Sequence, residues 1–262
     1  MHHVMLDHFA AGQTPVHRLD PAVKTVAAMA VILATVLVGR DHFLPLVPLA
    51  AALAAYHAVG RIPLGYAAKR LLIVSPLAAA VAILFPFLES GSAVWSLSVG
   101  GWVIQVTDAG CLRAANLLAK FFLSVWAALL LVSTTRFQDL LHAFERLRVP
   151  RLLVTQLAFM YRYLWVLSDE MMRLRMARAA RDGGAGPWRL RFHSRTGLLG
   201  VLFLRTYDRA ERVYWAMAAR GFDGTILSAA PTRPGRAADW LFAAAVVAGA
   251  AAICLADRLT YG

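Results

Sequence analysis

The sequence predicts an all-α integral membrane protein with about five transmembrane helices, two long charged helices between the fourth and fifth spans, and a small outer β-hairpin. Three observations carry this. Of 262 residues, 60% are apolar while 27 are Lys or Arg, and one water-soluble core does not absorb that much apolar surface. Several windows of 17 to 20 residues are almost free of charge, about the length needed to cross a hydrocarbon core of roughly 30 Å. The charge is local: Thr134 to Arg236 holds eighteen basic and eight acidic residues, +10 of the formal +12.

The start, Met1 to Asp7, lacks the basic flank and apolar run of a cleavable signal peptide, so the first span is expected to act as the insertion signal. Asp20 is placed to cap a helix whose first residue is Pro21. Span one follows over about Val23–Val38, with Lys24 near its mouth, where a lysine snorkels toward headgroups. Arg40-Asp41-His42 makes a turn into span two, about Phe43–Val59, with Pro45 and Pro48 in its first turns. Gly60–Arg70 reads as a loop carrying Arg61, Lys69 and Arg70 without an acid. The positive-inside bias puts that loop, and hence the N-terminus, in the cytoplasm.

Span three, about Leu71–Leu88, contains Pro76 and Pro86 and should kink or break there. Beyond it Trp95, Leu97 and Val99 alternate, as do Trp102, Ile104 and Val106, around Gly100-Gly101. That pattern predicts a hairpin, its tryptophans in the interfacial belt. A helix beginning at Asp108 runs on through span four, about Leu117–Val132, with Lys120 snorkelling near its outer end. Ser133, Thr134 and Thr135 lack a base at matching depth and read as a helix cap rather than a nucleophile.

The insertion opens with Phe137, Leu140, Leu141, Phe144 and Leu147 at helical spacing, closed by Pro150; this helix is expected on the inner membrane face. Helical spacing continues without interruption from Arg151 to Arg181, ending in Ala180-Arg181-Asp182 before the stop Gly183-Gly184-Ala185-Gly186-Pro187. A second run, about Ser194–Arg220, aligns Arg205, Arg209 and Arg212 on one stripe and ends in Ala219-Arg220-Gly221. These two similar endings are read as docking sites. Span five, about Asp239–Ala256, leaves the C-terminus outside. The resulting division is residues 1–133 with four spans, 134–237 as the charged region, and 238–262 as the last span.

Several chemistries find no support. A pI near 10.6 suits basic loops on one membrane face better than nucleic acid. Cys111 and Cys254 form neither a zinc spacing nor a disulfide framework. Lys24-Thr25 follows Val23 where a P-loop needs glycine, so ATP hydrolysis by that route is excluded. The eight histidines invite a metal-site reading, above all His2-His3 with Asp7 and His8, but only His57 lies in a span and no pair there has ligand spacing. His2, His3 and His8 read as parts of a solvated arm, so no metal ligand and no cofactor is assigned.

Several stretches resemble the transmembrane T component of energy-coupling-factor (ECF) importers: His17-Arg18-Leu19-Asp20-Pro21 with Lys24, Thr134-Thr135 through Arg148-Val149-Pro150, Tyr161-Arg162-Tyr163, and the two alanine-arginine endings. Val201 to Arg205 and Arg209 to Tyr214, leading into Ala219-Arg220-Gly221-Phe222-Asp223-Gly224, are most similar to the cobalt-transport branch, CbiQ. The resemblance implies a non-catalytic membrane subunit whose two long helices are cytoplasmic, cross one another and seat in two ATP-binding cassette ATPase subunits of the CbiO kind. It implies a further partner, a substrate-binding membrane subunit of the CbiM kind with or without a CbiN-like accessory, beside membrane lipid. Ala180, Arg181 and Asp182 then stand at the first coupling end and Ala219, Arg220 and Gly221 at the second. Asp182 departs from the family's Ala-Arg-Gly, and Gly183 is expected to take over the terminating role. A nickel or vitamin importer, and a scaffold for an acidic cytosolic protein with no transport cycle, stay open as alternatives.

Overall fold

The computed structural model describes residues 12, 14–39, 42–89, 93–99, 102–181, 187–224 and 237–261. The chain divides into two compact units, residues 1–143 with 232–262, and residues 144–231. The first holds the apolar helices. After a short turn of helix α1 (Pro15–Arg18), α2 (Pro21–Leu37) starts as the sequence predicts: Pro21 takes the first position and the Asp20 side chain accepts from the Ala22 N–H at 2.9 Å. α3 (Leu46–Gly60) and α4 (Leu64–Ala82) follow, then α5 (Phe85–Leu88), strands β1 (Ala93–Val99) and β2 (Trp102–Thr107), α6 (Asp108–Thr134) and α7 (Phe137–Arg146). The last helix of this unit is α10 (Ala237–Tyr261).

Three helical stretches, Leu64–Phe87, Asp108–Thr134 and Ala237–Thr260, are long and apolar enough to cross a membrane, and α2 and α3 are shorter apolar helices. α2 packs on α10 and α6, and α3 and α4 pack on α6. Their shared core gathers Val31 and Ala34 of α2, Leu49 and Leu53 of α3, Ala127 and Leu130 of α6 and Ala250 of α10. Small residues at Ala34 and Ala250 permit close approach, which matters because lipid tails give apolar helices no drive to associate beyond packing. β1 and β2 pair antiparallel with Leu97 opposite Ile104 and Val99 opposite Trp102; Gly100 and Gly101 lie outside the described residues.

Several expectations are corrected. The basic stretch before span three is a loop only to Pro63: Leu64 to Arg70 form the first two turns of α4, and Arg70 sits over the Tyr66 ring 5.1 Å from its centre. Pro76 does not break α4. Its missing N–H frees the Leu72 carbonyl, which the Ser75 hydroxyl takes up at 2.9 Å. The break comes at Ile83–Leu84, before Pro86. There Gly110 lets α6 approach α5 so closely that a Cβ would lie 2.6 Å from the Pro86 Cα and 2.7 Å from the Phe85 carbonyl oxygen.

Neither membrane lysine snorkels. Lys24 is buried, its Nζ donating to the carbonyls of Thr134 at 2.9 Å and His17 at 3.3 Å. Lys120 donates to the Val38 and Gly39 carbonyls at 2.6 and 3.1 Å, where α2 ends and its last carbonyls lack intrahelical partners. The Ser133–Thr135 segment does cap a helix, at its C-terminal end, with Thr135 as the C-cap residue of α6. Ser133 and Thr134 are the last residues of α6, and the Thr134 hydroxyl donates back to Leu130 at 2.8 Å.

The second unit is helical and begins inside α7, at Phe144. α7 ends in a left-handed residue, Arg148 (φ 62°), with Val149 N–H bonded to the Phe144 carbonyl and Arg148 N–H to that of Glu145. α8 (Arg151–Arg181) then runs unbroken for 31 residues, as expected. α9 also has 31 residues but spans Trp188–Ala218, starting six residues before the predicted Ser194. Pro187 precedes its first turn and offers its carbonyl to Leu190 N–H at 3.1 Å, so the proline that stops one helix is placed where the next requires no N–H.

Candidate functional site

α8 and α9 meet near their middles. Arg205 of α9 donates to Glu170 of α8 at 2.5 Å. Arg205, Arg209 and Arg212, spaced to share one helix face, line a cavity of about 220 Å³ together with Glu170, Val166 and Leu167. The Arg205 hydrogen bond, reinforced by the charges of Arg205, Arg173 and Arg209, holds the Glu170 carboxyl below the usual carboxylate range. Sequence reasoning placed the arginine stripe and missed its acid. Glu170 is visible as an acid at the entrance of an arginine-rich run, but its partner is 35 residues away.

Beyond its last turn α9 folds back toward the first half of α8. Phe222 stacks edge-on to Phe159 with centroids 6.3 Å apart, and the Thr155 hydroxyl donates to the Gly224 carbonyl at 3.4 Å. The two helices are therefore antiparallel around the Glu170–Arg205 contact, and the predicted endings lie at opposite ends of the pair. Ala180 and Arg181 close α8 with both residues exposed. Asp182 lies outside the described residues. Phe159, beside the second ending, is 22 residues from Arg181 on one helix, roughly 33 Å along its axis at 1.5 Å per residue.

The second ending is built from backbone geometry. Ala219 is the C-cap residue of α9, and Gly221 is left-handed at φ 75°. Phe222 N–H reaches the Met217 carbonyl at 3.1 Å and Gly221 N–H the Ala218 carbonyl at 3.0 Å. This pairing satisfies carbonyls that a helix end otherwise leaves open, and the left-handed residue it needs is cheapest as glycine. Arg220 is consequently presented, exposed, on the last turn before the chain reverses. A guanidinium held there offers a planar fork for a carboxylate.

In the first unit, His57 is buried and accepts at Nδ1 from the Trp126 indole at 3.3 Å, while among the described residues its Nε2 has no hydrogen-bond partner. Among the described residues no three His, Cys, Asp or Glu side chains converge as a metal site would require.

Comparison with known proteins gives one consistent answer. A family model described as cobalt transport protein, CbiQ, matches residues 12–230. The cobalt transport protein CbiQ of Rhodobacter capsulatus is 32% identical over 157 residues, 60% of this chain and 64% of that protein. The energy-coupling factor transporter transmembrane protein EcfT of Listeria innocua is 28% identical over 234 residues, 86% of each chain. An uncharacterized protein of Methanocaldococcus jannaschii is 28% identical over 144 residues, 55% of this chain. The chain spans about half of that last relative's length, 53%. With a match running through both units, from before the first apolar helix to beyond the second arginine ending, the chain belongs to the CbiQ cobalt transport protein family.

Proposed function

We propose that this chain is the energy-coupling transmembrane subunit of an ECF importer for cobalt ions, passing motion from two ATPase subunits to a substrate-binding membrane subunit. One observation supports the reading: α8 and α9 are antiparallel, so that Arg181 at the end of α8 and the turn after Arg220, where Phe222 meets Phe159, lie toward opposite ends of the pair. One pair of prongs thereby reaches two separate sockets. Residues 134–237 form the coupling region on the cytoplasmic side, the N-terminus lies on the same side, and the apolar helices form a multi-pass anchor in the cell membrane. The chain itself performs no chemistry. ATP hydrolysis belongs to the CbiO-like subunits and ion capture to a CbiM-like one.

Each arginine, with Ala180 or Ala219 beside it, takes a carboxylate in a groove of an ATPase subunit. Alanine allows close backbone approach, and Gly221 turns the chain away from the socket. Coupling needs only that the contacts at the two ends differ between nucleotide-bound and nucleotide-free ATPases. The family description and the name of the Rhodobacter capsulatus relative support cobalt as cargo over nickel or a vitamin.

Replacing Arg181 and Arg220 together by alanine tests this in the complete complex. Loss of one desolvated anchor costs ~2 kcal/mol or more, over tenfold in affinity. The double variant is expected to insert in the membrane while losing ATPase subunits and cobalt uptake; retention of both at the wild-type level overturns the assignment.

A further inference from the structure

The stretch His17-Arg18-Leu19-Asp20-Pro21 with Lys24 lies outside the two arginine endings assigned above to ATPase contact, and its geometry is specific. Lys24 is 3% exposed, and a buried ammonium is costly unless partners surround it. Its Nζ holds the carbonyl of Thr134, the last residue of α6, at 2.9 Å and that of His17 in α1 at 3.3 Å. The carboxylates of Asp139 in α7 and Asp20 at the start of α2 supply opposing charge. One nitrogen therefore gathers α1, α2, the end of α6 and the start of α7. Placed at the negative end of α6, the ammonium also meets the carbonyls that end leaves open. Tyr56 of α3 lies against the same residue, its hydroxyl 3.4 Å from that of Thr134.

The place of this knot in the chain gives it a role. The chain passes between the two units after Ala143 and again after Pro231, and Thr134 lies at the foot of the first passage. Along the chain, a displacement of residues 144–231 can reach the first unit at residue 143 or at residue 232, and the first of these routes runs through α7 to the end of α6. If the junction yields, the displacement is spent there. Apolar side chains and a simple glycine stop would close α6 without a buried charge, but would leave its direction free.

We propose that Lys24 is a positioning residue for energy coupling, fixing the α6–α7 junction so that motion of the coupling helices is passed into the bundle instead of being absorbed where the chain leaves it. This rests on the coupling function proposed above. It assigns Lys24 no contact with ATPase or ion.

The test is cobalt-57 uptake per ATP hydrolysed by the assembled complex in proteoliposomes, a ratio that does not depend on how much complex survives preparation. Lys24→Met is expected to keep both ATPase subunits and their hydrolysis while the ratio falls tenfold or more. Lys24→Arg, which keeps the charge and the donors, is expected to recover most of it. A Lys24→Met complex that is merely less stable, with a wild-type ratio, overturns the proposal. Should Lys24→Met fail to accumulate, Lys24→Gln keeps a donor without the charge, and a wild-type ratio in that variant is equally decisive against it. The Arg181→Ala/Arg220→Ala complex separates the two claims: if it stays assembled and active, the coupling reading itself fails; if it comes apart while Lys24→Met keeps a normal ratio, only the role of Lys24 is lost.

Discussion

Replacing Gly221 by alanine isolates the part of the second docking end that is pure backbone. Among the described residues an added Cβ would meet no atom within 4 Å, so the cost there is conformational. At φ 75° an L-residue carries roughly 1–2 kcal/mol of strain. The alanine chain recovers about 0.4–1 kcal/mol because its unfolded state has less freedom than glycine's. The net penalty is about 1 kcal/mol, a factor of about five in an equilibrium. Relief is available by opening the bonds from Phe222 to Met217 and from Gly221 to Ala218, which would detach Phe222 from Phe159 and leave Arg220 on a frayed turn. Hydrogen exchange at Gly221 and Phe222 in the reconstituted chain should therefore speed up about fivefold in Gly221→Ala. Gly221→Asn, which tolerates the left-handed region better, should fall between the two. ATPase binding should weaken by the same small factor, well short of the loss from Arg220→Ala. Unchanged exchange in Gly221→Ala would refute the geometric account, and binding loss as large as that of Arg220→Ala would show that the glycine does more than turn the chain.

The same bookkeeping with opposite sign applies to Arg148, a left-handed non-glycine at the end of α7: Arg148→Gly should stabilise that helix end by about 0.5–1 kcal/mol, seen as slower exchange at Arg148 and Val149. Gly110→Ala places a methyl against the backbone of Pro86 and Phe85, which cannot rotate away; a cost of about 1–3 kcal/mol is expected, read as a lower thermal midpoint of the membrane-inserted chain. For Glu170 the folded carboxyl sits below its ordinary range because Arg205 donates to it. Its contribution to the α8–α9 contact is therefore complete above the ordinary carboxylate pKa and is lost as pH falls through the lowered folded value. The stability difference between wild type and Glu170→Gln should accordingly shrink on acidification, and a difference independent of pH contradicts the pairing.

What was legible in the sequence was local. Charge-free runs gave the apolar helices, Asp20-Pro21 gave the start of α2, and Ala219-Arg220-Gly221 gave a helix end, because each signal acts within a few residues. The positions of the two lysines are not legible for the converse reason. A lysine at the rim of an apolar run has lipid headgroups as its nearest partners in sequence terms, whereas the carbonyl Lys24 holds on α6 comes from 110 residues away and those of Lys120 from 81 and 82. Arg61, Lys69 and Arg70 carry the charge pattern of a loop, yet Lys69 and Arg70 ride on the first turns of α4. Glycines and a proline between α8 and α9 marked the stop correctly but concealed that Trp188 begins a new helix at once. The antiparallel crossing of those helices depends on pairs such as Glu170–Arg205 and Phe159–Phe222, which no local pattern specifies.

The two-socket claim is reached most directly by placing a photoreactive amino acid at Ala180 in one variant and Ala219 in another, then irradiating the whole complex in its membrane. The account predicts that each position captures an ATPase subunit, with the yield at both changing when nucleotide is bound. Capture of lipid or of the substrate-binding subunit alone, at either position, would contradict it.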